Sequence, residues 1–473
     1  MNRAFILVTL YAVLPAQDFG PVREQIVAGI GAEQAPACTV TVWQDGRIAW
    51  AEGFGLADRE RRIPATADTI YRLASITKPL VATAILHLCD TGKLALDTKV
   101  NTLLPGSKLQ RDEVSVAHLL SHTSGMPVHY TFFYAGTAPW GLDTAIARYG
   151  FSRREPGARF EYSNLGYGIL GHLLALRSGS AWDEYLNSAV LAPLGMAHTS
   201  ARVAKEHERD AAVPYRKDAG GRFQPLPDYD FDHPGASALW STGADLVRFA
   251  RMFWEDGAPV LRAASAKAMI QQQATAGPNG RGYGFGWFIE TVHGERCFSH
   301  TGGMPGVATL LRAFPGRKIA YAVLTNTSDG ALRNAVDAHL QRRILQAESR
   351  PSRPASRRSE TVASERMHGT WVGRIHHHEG PVEVRVQCSQ DKVRLWTGPG
   401  AGTERGVSEF RIPAPEEWAF SSEMLLGSVP GYFGVPKLEF GLQLIGERIE
   451  GICVAKAEGY FALSHRVELT RRD

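Results

Sequence analysis

Apolar and polar residues alternate on both sides of Asp45-Gly46 in the stretch "ACTVTVWQDGRIAWAEGFG", which predicts a β-hairpin closed by a two-residue turn. From Pro79 the period changes. Val81, Ala84, Ile85 and Leu88 recur at the spacing of one buried helix face. The middle of the chain reads as mostly helical, with loops marked by "HTSGMP", "EPGARF" and "LAPLGM". Farther on, "YGFGWFIE", "GVATLLRAFP" and "KIAYAVLTNT" read as strands, and "ALRNAVDAHLQRRILQ" as an amphipathic helix. Early and late strands with helices between them predict an α+β (α/β/α) fold, one antiparallel sheet flanked by helices.

From Ala347 to Arg366 the pattern disappears. "AESRPSRPASRRSETVASER" has almost no large apolar residue and cannot bury enough surface to fold, so residues 347–366 are expected to be a linker. Beyond it, "GTWVGRIHHHEGPVEVRVQCSQDKVRLW" and "KLEFGLQLIGERIEGICVAK" alternate, with turn residues every eight to twelve positions. Residues 367–473 are therefore expected to form a small antiparallel β-barrel. Its Gly369-Thr370-Trp371 opening resembles lipocalin-like barrels. Adjacent strand residues face opposite sides, so of His376, His377 and His378 only the outer two would share a face, and no metal site is expected.

Other features set limits. At the N-terminus Arg3 precedes "AFILVTLYAVL" and then Ala16, a pattern like a secretory signal peptide over residues 1–16. A catalytic domain would then run over 17–346, and the protein would be periplasmic or secreted. The chain of 473 residues carries a formal net charge of only +4, and the linker's five arginines against three glutamates supply +2 of it. That argues against nucleic acid as a partner, which needs a concentrated basic face. No apolar run approaches the ~20 residues of a transmembrane span. Cys38, Cys89, Cys297, Cys388 and Cys453 are scattered without a C-x-x-C pair, so no metal or other cofactor is expected. They read as buried free thiols, with Cys388–Cys453 the one bridge considered.

Candidate chemistry starts in "YRLASITKPLVATAILHL". Ser75 stands where a helix begins, and an N-cap would be its ordinary role. Lys78, three residues on, shares its helix face. A desolvated amine beside a serine hydroxyl can take its proton and make a nucleophile. "FEYSNLGYGILG" adds Tyr162, which can ionise partly near a lysine and trade protons with a serine, and Asn164, a donor for a substrate carbonyl. "CFSHTGGMPGVATLL" places His300-Thr301-Gly302-Gly303 on a strand with little bulk, where a substrate can lie alongside. Backbone N–H groups of Ser75 and Gly303 would form an oxyanion hole.

S-x-x-K, Y-x-N and a glycine-rich strand in this order resemble the serine β-lactamase and penicillin-binding protein family, in its class C-like branch. "LLSHTSGMP", "LAPLGMAHTS" and "LWSTGADLVRFA" are further family-like phrases. The resemblance implies Ser75 as acylated nucleophile, with Lys78 and Tyr162 sharing the general-base role. Asn164 would touch the substrate amide or the lysine, Thr301 and Gly302 would lie on the substrate-binding strand, and Gly303 would complete the oxyanion hole. Position 300 is His where the β-lactamase pattern has Lys. The expected activity is therefore hydrolysis of small esters, or of amides of D-amino-acid peptides, by a small-molecule or short-peptide hydrolase. A true β-lactamase or D,D-carboxypeptidase is the alternative, and a slowly acylating β-lactam sensor is the alternative of another class.

Overall fold

A computed structural model describes residues 18–134, 138–218, 220–277, 280–346, 364–377, 380–389, 392–414, 417–423, 437–445, 447–457 and 461–472. The expected signal peptide and nearly all of the expected linker lie outside these residues, as does His378.

The predicted hairpin is present as β1 (Ala37–Gln44) and β2 (Arg47–Asp58), joined by Asp45 and Gly46 at φ 53° and 78°. Both turn residues are left-handed, as a twist-matched two-residue turn requires. Four later strands continue the sheet: β3 (Phe288–Val292), β4 (Glu295–Met304), β5 (Val307–Phe314) and β6 (Ile319–Thr325). The order is β3-β4-β5-β6-β1-β2, antiparallel throughout, with short two-residue strands at either edge. The last strand closes on the first, Cys38 opposite Thr325 and Val42 opposite Tyr321.

Both faces of this sheet are covered, so its central strands are apolar on both sides rather than alternating with solvent. On one face Val40, Val42, Leu310 and Val323 meet Val22 and Ile26 of α1 (Gly20–Gly31). The amphipathic helix found in the sequence, Ala331–Leu345, packs there too through Leu332, Val336, Leu340 and Ile344. On the other face lies the larger helical cluster. It contains α2 (Thr77–Asp90), buried from Thr77 to Leu86, and α3 (Asn164–Ser178).

Nine C-terminal strands, from Gly369–His376 to Phe461–Arg472, form a second antiparallel sheet. Its two edge strands, Thr403–Arg405 and Ser408–Ala414, are consecutive in the chain, so the sheet rolls into a nearly closed barrel. Alternate residues fill it: Trp371 and Ile375, Val384 and Val386, Leu438, Phe440, Leu442 and Leu444. The Trp371 indole donates to Met367 O at 2.9 Å and pins the first strand. His376 pairs with Glu468 at the surface, while His377 turns inward against the His465 ring. All five cysteines are free thiols, Cys388 and Cys453 included. Among the described residues no helix is long and apolar enough to cross a membrane.

Candidate active site

Ser75 lies in the single 3₁₀ turn Ala74–Ile76 that feeds α2. Its ordinary role as a helix cap is not taken up, because α2 begins without any side-chain cap. Ala74 instead takes φ 51°, a left-handed conformation that costs a non-glycine residue on the order of 1–3 kcal/mol. The hydroxyl is thereby turned to the interior side of the helix start, and Ser75 is 4 % exposed.

Lys78 is completely buried one turn on. Its Nζ lies 3.0 Å from Ser75 Oγ, 2.7 Å from Asn164 Oδ1 and 3.1 Å from Ala236 O. The Asn164 amide cannot be flipped, since its Nδ2 donates to His129 O at 2.6 Å. Burial drives the Lys78 pKa well below the ordinary lysine value, because the charged form loses its hydration. A neutral amine has two N–H donors and one lone pair. Asn164 Oδ1 and Ala236 O can only accept, so each takes an N–H; in the neutral form the third position, toward Ser75 Oγ, is the lone pair, whereas the ammonium form donates there.

Tyr162 and Asn164 are set by the start of α3. Ser163, the middle residue of Y-x-N, caps that helix by accepting from Gly166 N at 3.3 Å. The Tyr162 ring stands 4.9 Å from Lys78 Nζ, and its hydroxyl is near enough to Ser75 to be influenced by it. The expectation that Tyr162 ionises partly is corrected here. Burial raises its pKa well above 10, aided by nearby Tyr130 and only partly offset by Ser75, so it is a neutral phenol.

The glycine-rich strand is β4. Its pairing with β3 ends at Phe288–Ser299, whereas its pairing with β5 continues to Met304. Residues 300–304 therefore have β5 on one side and no β3 partner on the other. A Cβ at Gly302 would stand 2.0 Å from Leu73 O, so only glycine lets β4 lie against the turn carrying Ser75. Thr309 Oγ1 donates to the same carbonyl at 2.9 Å and fixes the turn on β5. Thr301 is exposed and Gly303 half-buried. His300 is turned inward and 1 % exposed. Its Nδ1 donates to Thr301 O at 2.8 Å, and Nε2 lies 3.3 Å from the Tyr283 hydroxyl. Burial lowers its pKa to about 3, so the ring is neutral at all physiological pH values.

Residues 22–346 match the protein family described as Beta-lactamase. The chain belongs to that family. Penicillin-binding protein 4 of Amycolatopsis lactamdurans is 32 % identical over 62 % of this chain and 81 % of its own length. The octameric penicillin-binding protein homologue of Pyrococcus abyssi superimposes with a TM-score of 0.64 at 25 % identity, covering 96 % of this chain and all of that one. The D-amino acid amidase of Ochrobactrum anthropi shares the fold at 21 % identity and a TM-score of 0.59, over 69 % of this chain and 98 % of its own. As a member of this family the protein is a serine hydrolase.

Several residues around this β-lactamase-family site were not legible in the sequence. Ala236, an acceptor for Lys78, offers only a backbone carbonyl. His122 of "HTSGMP" accepts from Ser163 N at 3.1 Å and lies among the rings of Tyr162, Tyr167 and Tyr283. Arg333, at the start of the Ala331–Leu345 helix, reaches Gly302 O at 3.3 Å and Asn334 Oδ1 at 2.8 Å. His129, Asp232 and His233 form a buried cluster behind Asn164, their candidate ligand atoms all within 4.8 Å of one another. No spacing rule connects His129 to residues a hundred positions later.

The barrel reaches the site through arginines. Arg153 and Arg154 both pair with Glu161, the residue before Tyr162, at 3.3 and 2.9 Å. Arg154 also donates to Gln443 Oε1 of the barrel at 2.9 Å, and Arg153 to Gly441 O at 3.5 Å. Glu161→Gln weakens the pairs that hold the approach to Tyr162. It is expected to lower kcat on a small ester about 3–10-fold, in line with a loss of about 1 kcal/mol of positioning. Gln443→Leu, which cuts only the barrel contact, should leave that ester within about two-fold but alter relative rates among bulky acyl groups. Steady-state kinetics on an ester series checks both.

Proposed function

We propose that this chain hydrolyses small esters, or amides of D-amino-acid peptides, through an acyl-enzyme on Ser75. The arrangement at Lys78 Nζ carries the reading: a buried amine whose pKa is driven down, two fixed acceptors for its N–H groups, and Ser75 Oγ at 3.0 Å in the position left for its lone pair. In the first step Lys78 takes the Ser75 proton while Oγ bonds to the substrate carbonyl carbon. The carbonyl electron pair moves onto oxygen, which the N–H groups of Ser75 and Gly303 receive. Collapse breaks the bond to the leaving group, whose proton comes from the Tyr162 hydroxyl, and Lys78 returns a proton to Tyr162. Water then attacks the acyl-serine by the reverse path. Substrate lies along residues 300–304, where Thr301 and Gly302 meet it and His300 supplies a neutral wall; Asn164, expected to meet substrate as well, is fully buried with both ends of its amide engaged and acts on Lys78 instead. Export to the periplasm or medium belongs to the same proposal.

The substrate class follows from charge. A β-lactam or peptide C-terminus brings a carboxylate, and β4 meets it with a neutral imidazole. Two arginines near this part of β4 are engaged, Arg333 by Gly302 O and Asn334, and Arg281 by Glu290 at 2.7 Å. A missing charge-assisted contact costs about 1.5–3 kcal/mol, or about one to two powers of ten in kcat/KM. At pH 7.5 a short nitrophenyl ester or D-aminoacyl anilide is therefore expected to exceed a chromogenic cephalosporin by roughly ten-fold or more. Equal or faster cephalosporin turnover would mark a true β-lactamase. Stoichiometric labelling of Ser75 without turnover of any of the three would mark a binding protein.

A further inference from the structure

Behind Lys78, Asp232 accepts from two histidines on separate segments. His129 Nε2 lies 2.9 Å from one carboxylate oxygen and His233 Nδ1 lies 2.7 Å from the other, with Thr131 Oγ1 at 3.3 Å. All three groups are buried, the two histidines at 1 % and 0 % exposure. The segments they belong to are the two that hold the amine in place. The backbone carbonyl of His129 receives Asn164 Nδ2, and so fixes the Asn164 oxygen that meets Lys78. His233 opens the short helix Pro234–Ser237, whose Ala236 carbonyl meets Lys78 directly. That helix lies close against α3, where a Cβ at Gly235 would stand 2.5 Å from Tyr167 O.

We infer that Asp232, with His129 and His233, is a clamp that holds both Lys78 acceptors in register and so aims the amine lone pair at Ser75. These are positioning residues, and the inference rests on the proposed role of Lys78. A neutral amine whose acceptors drift can rotate an N–H toward Ser75 Oγ, and then it cannot take the serine proton.

The same three side chains suit a metal ion by donor type, but their protons are distributed against one. An ion between them would use the lone pairs of His129 Nε2 and His233 Nδ1. The ring protons would then sit on His129 Nδ1 and His233 Nε2, which are buried with no hydrogen-bond partner among the described residues. Metal-bound histidines almost always donate that outer N–H to an acceptor. With His129 Nε2–H and His233 Nδ1–H both donating to Asp232, the carboxylate receives the two N–H donors. Burial alone would raise the Asp232 pKa, but the two histidines outweigh it and keep the carboxylate ionised far below the usual range.

The test uses the full chain and a short nitrophenyl ester. Asp232→Asn is expected to lower kcat about 10–100-fold while KM stays within about three-fold, since the clamp touches no substrate. His129→Leu should do the same, and His129→Gln, which restores an N–H donor at similar reach, should return kcat to within about three-fold of wild type. The His129 pair decides the matter if Asp232→Asn does not fold. A folded Asp232→Asn or His129→Leu protein with wild-type kcat would overturn the clamp, as would equal losses in His129→Leu and His129→Gln. So would a stoichiometric metal ion in the purified wild type that Asp232→Asn loses. Fluorophosphonate labelling of Ser75 in each protein separates the two ideas. If wild type carries no adduct on Ser75, the proposed function fails; if it does and kcat is indifferent to the clamp, only the clamp fails.

Discussion

Replacing Ser75 with alanine is expected to abolish the covalent adduct and lower kcat by roughly 10⁴–10⁶-fold, the range seen when a serine hydrolase loses its nucleophile. The geometry makes this variant easy to interpret. Only one oxygen is removed, from a turn held by Thr309 on Leu73 O and by the close approach of Gly302. Lys78 keeps both of its other partners, so the surrounding structure has little reason to change. Stability should shift by about 1 kcal/mol or less, the net worth of one hydrogen bond. Intact-protein mass spectrometry after treatment with a fluorophosphonate or a penicillin checks the adduct. An adduct on another serine in the Ser75→Ala protein would transfer the nucleophile's role elsewhere.

Lys78→Met and Tyr162→Phe should each lose about 10²–10⁴-fold in kcat, the usual worth of general acid–base help. The double variant should be little worse than either, because residues acting in one proton relay are strongly non-additive. Fully multiplicative losses would mean that they act separately. Lys78 also leaves a mark on stability. Its folded pKa lies below the unfolded value near 10.4, so between those two values the unfolded chain binds one more proton than the native one. Wild-type stability must then rise with pH in that window, by up to about 1.4 kcal/mol per unit from this group alone. Denaturant melts at pH 8 and 9, below the unfolded lysine value, should show that difference between wild type and Lys78→Met. Identical pH slopes would mean that Lys78 is charged in the native state and cannot be the base. The chosen window lies above the range where buried His122, His233 and His300, whose pKa values are lowered by burial, would add their own slope.

The local sequence determined a good deal about this protein, and each success has a short-range cause. The alternating stretch around Asp45-Gly46 marked β1 and β2, because alternation is a property of neighbours, and three later apolar stretches read as strands. Asp45-Gly46 placed the turn, since only residues tolerant of positive φ close it. Ser75 and Lys78 were juxtaposed by helical spacing alone, three residues apart at a helix start. Two local readings failed: Ser75 is not a cap, since the turn ahead of α2 is 3₁₀ and Ala74 takes the strain. Tyr162 is not ionised, since its surroundings are dry.

Tertiary structure decided what no spacing carries. Asn164, Ala236 and Lys78 meet only because α3 and the Pro234–Ser237 helix pack against α2, and one of those contacts is a backbone carbonyl with no sequence signature. The depressed pKa of Lys78, which its proposed role as a base needs, comes from complete burial by residues far apart in the chain. His129, Asp232 and His233 are brought together across a hundred residues in the same way. Residue types and periods were therefore readable from the chain, whereas solvent exclusion and the aim of a lone pair belong to the packed whole, because both depend on every group that surrounds the atom.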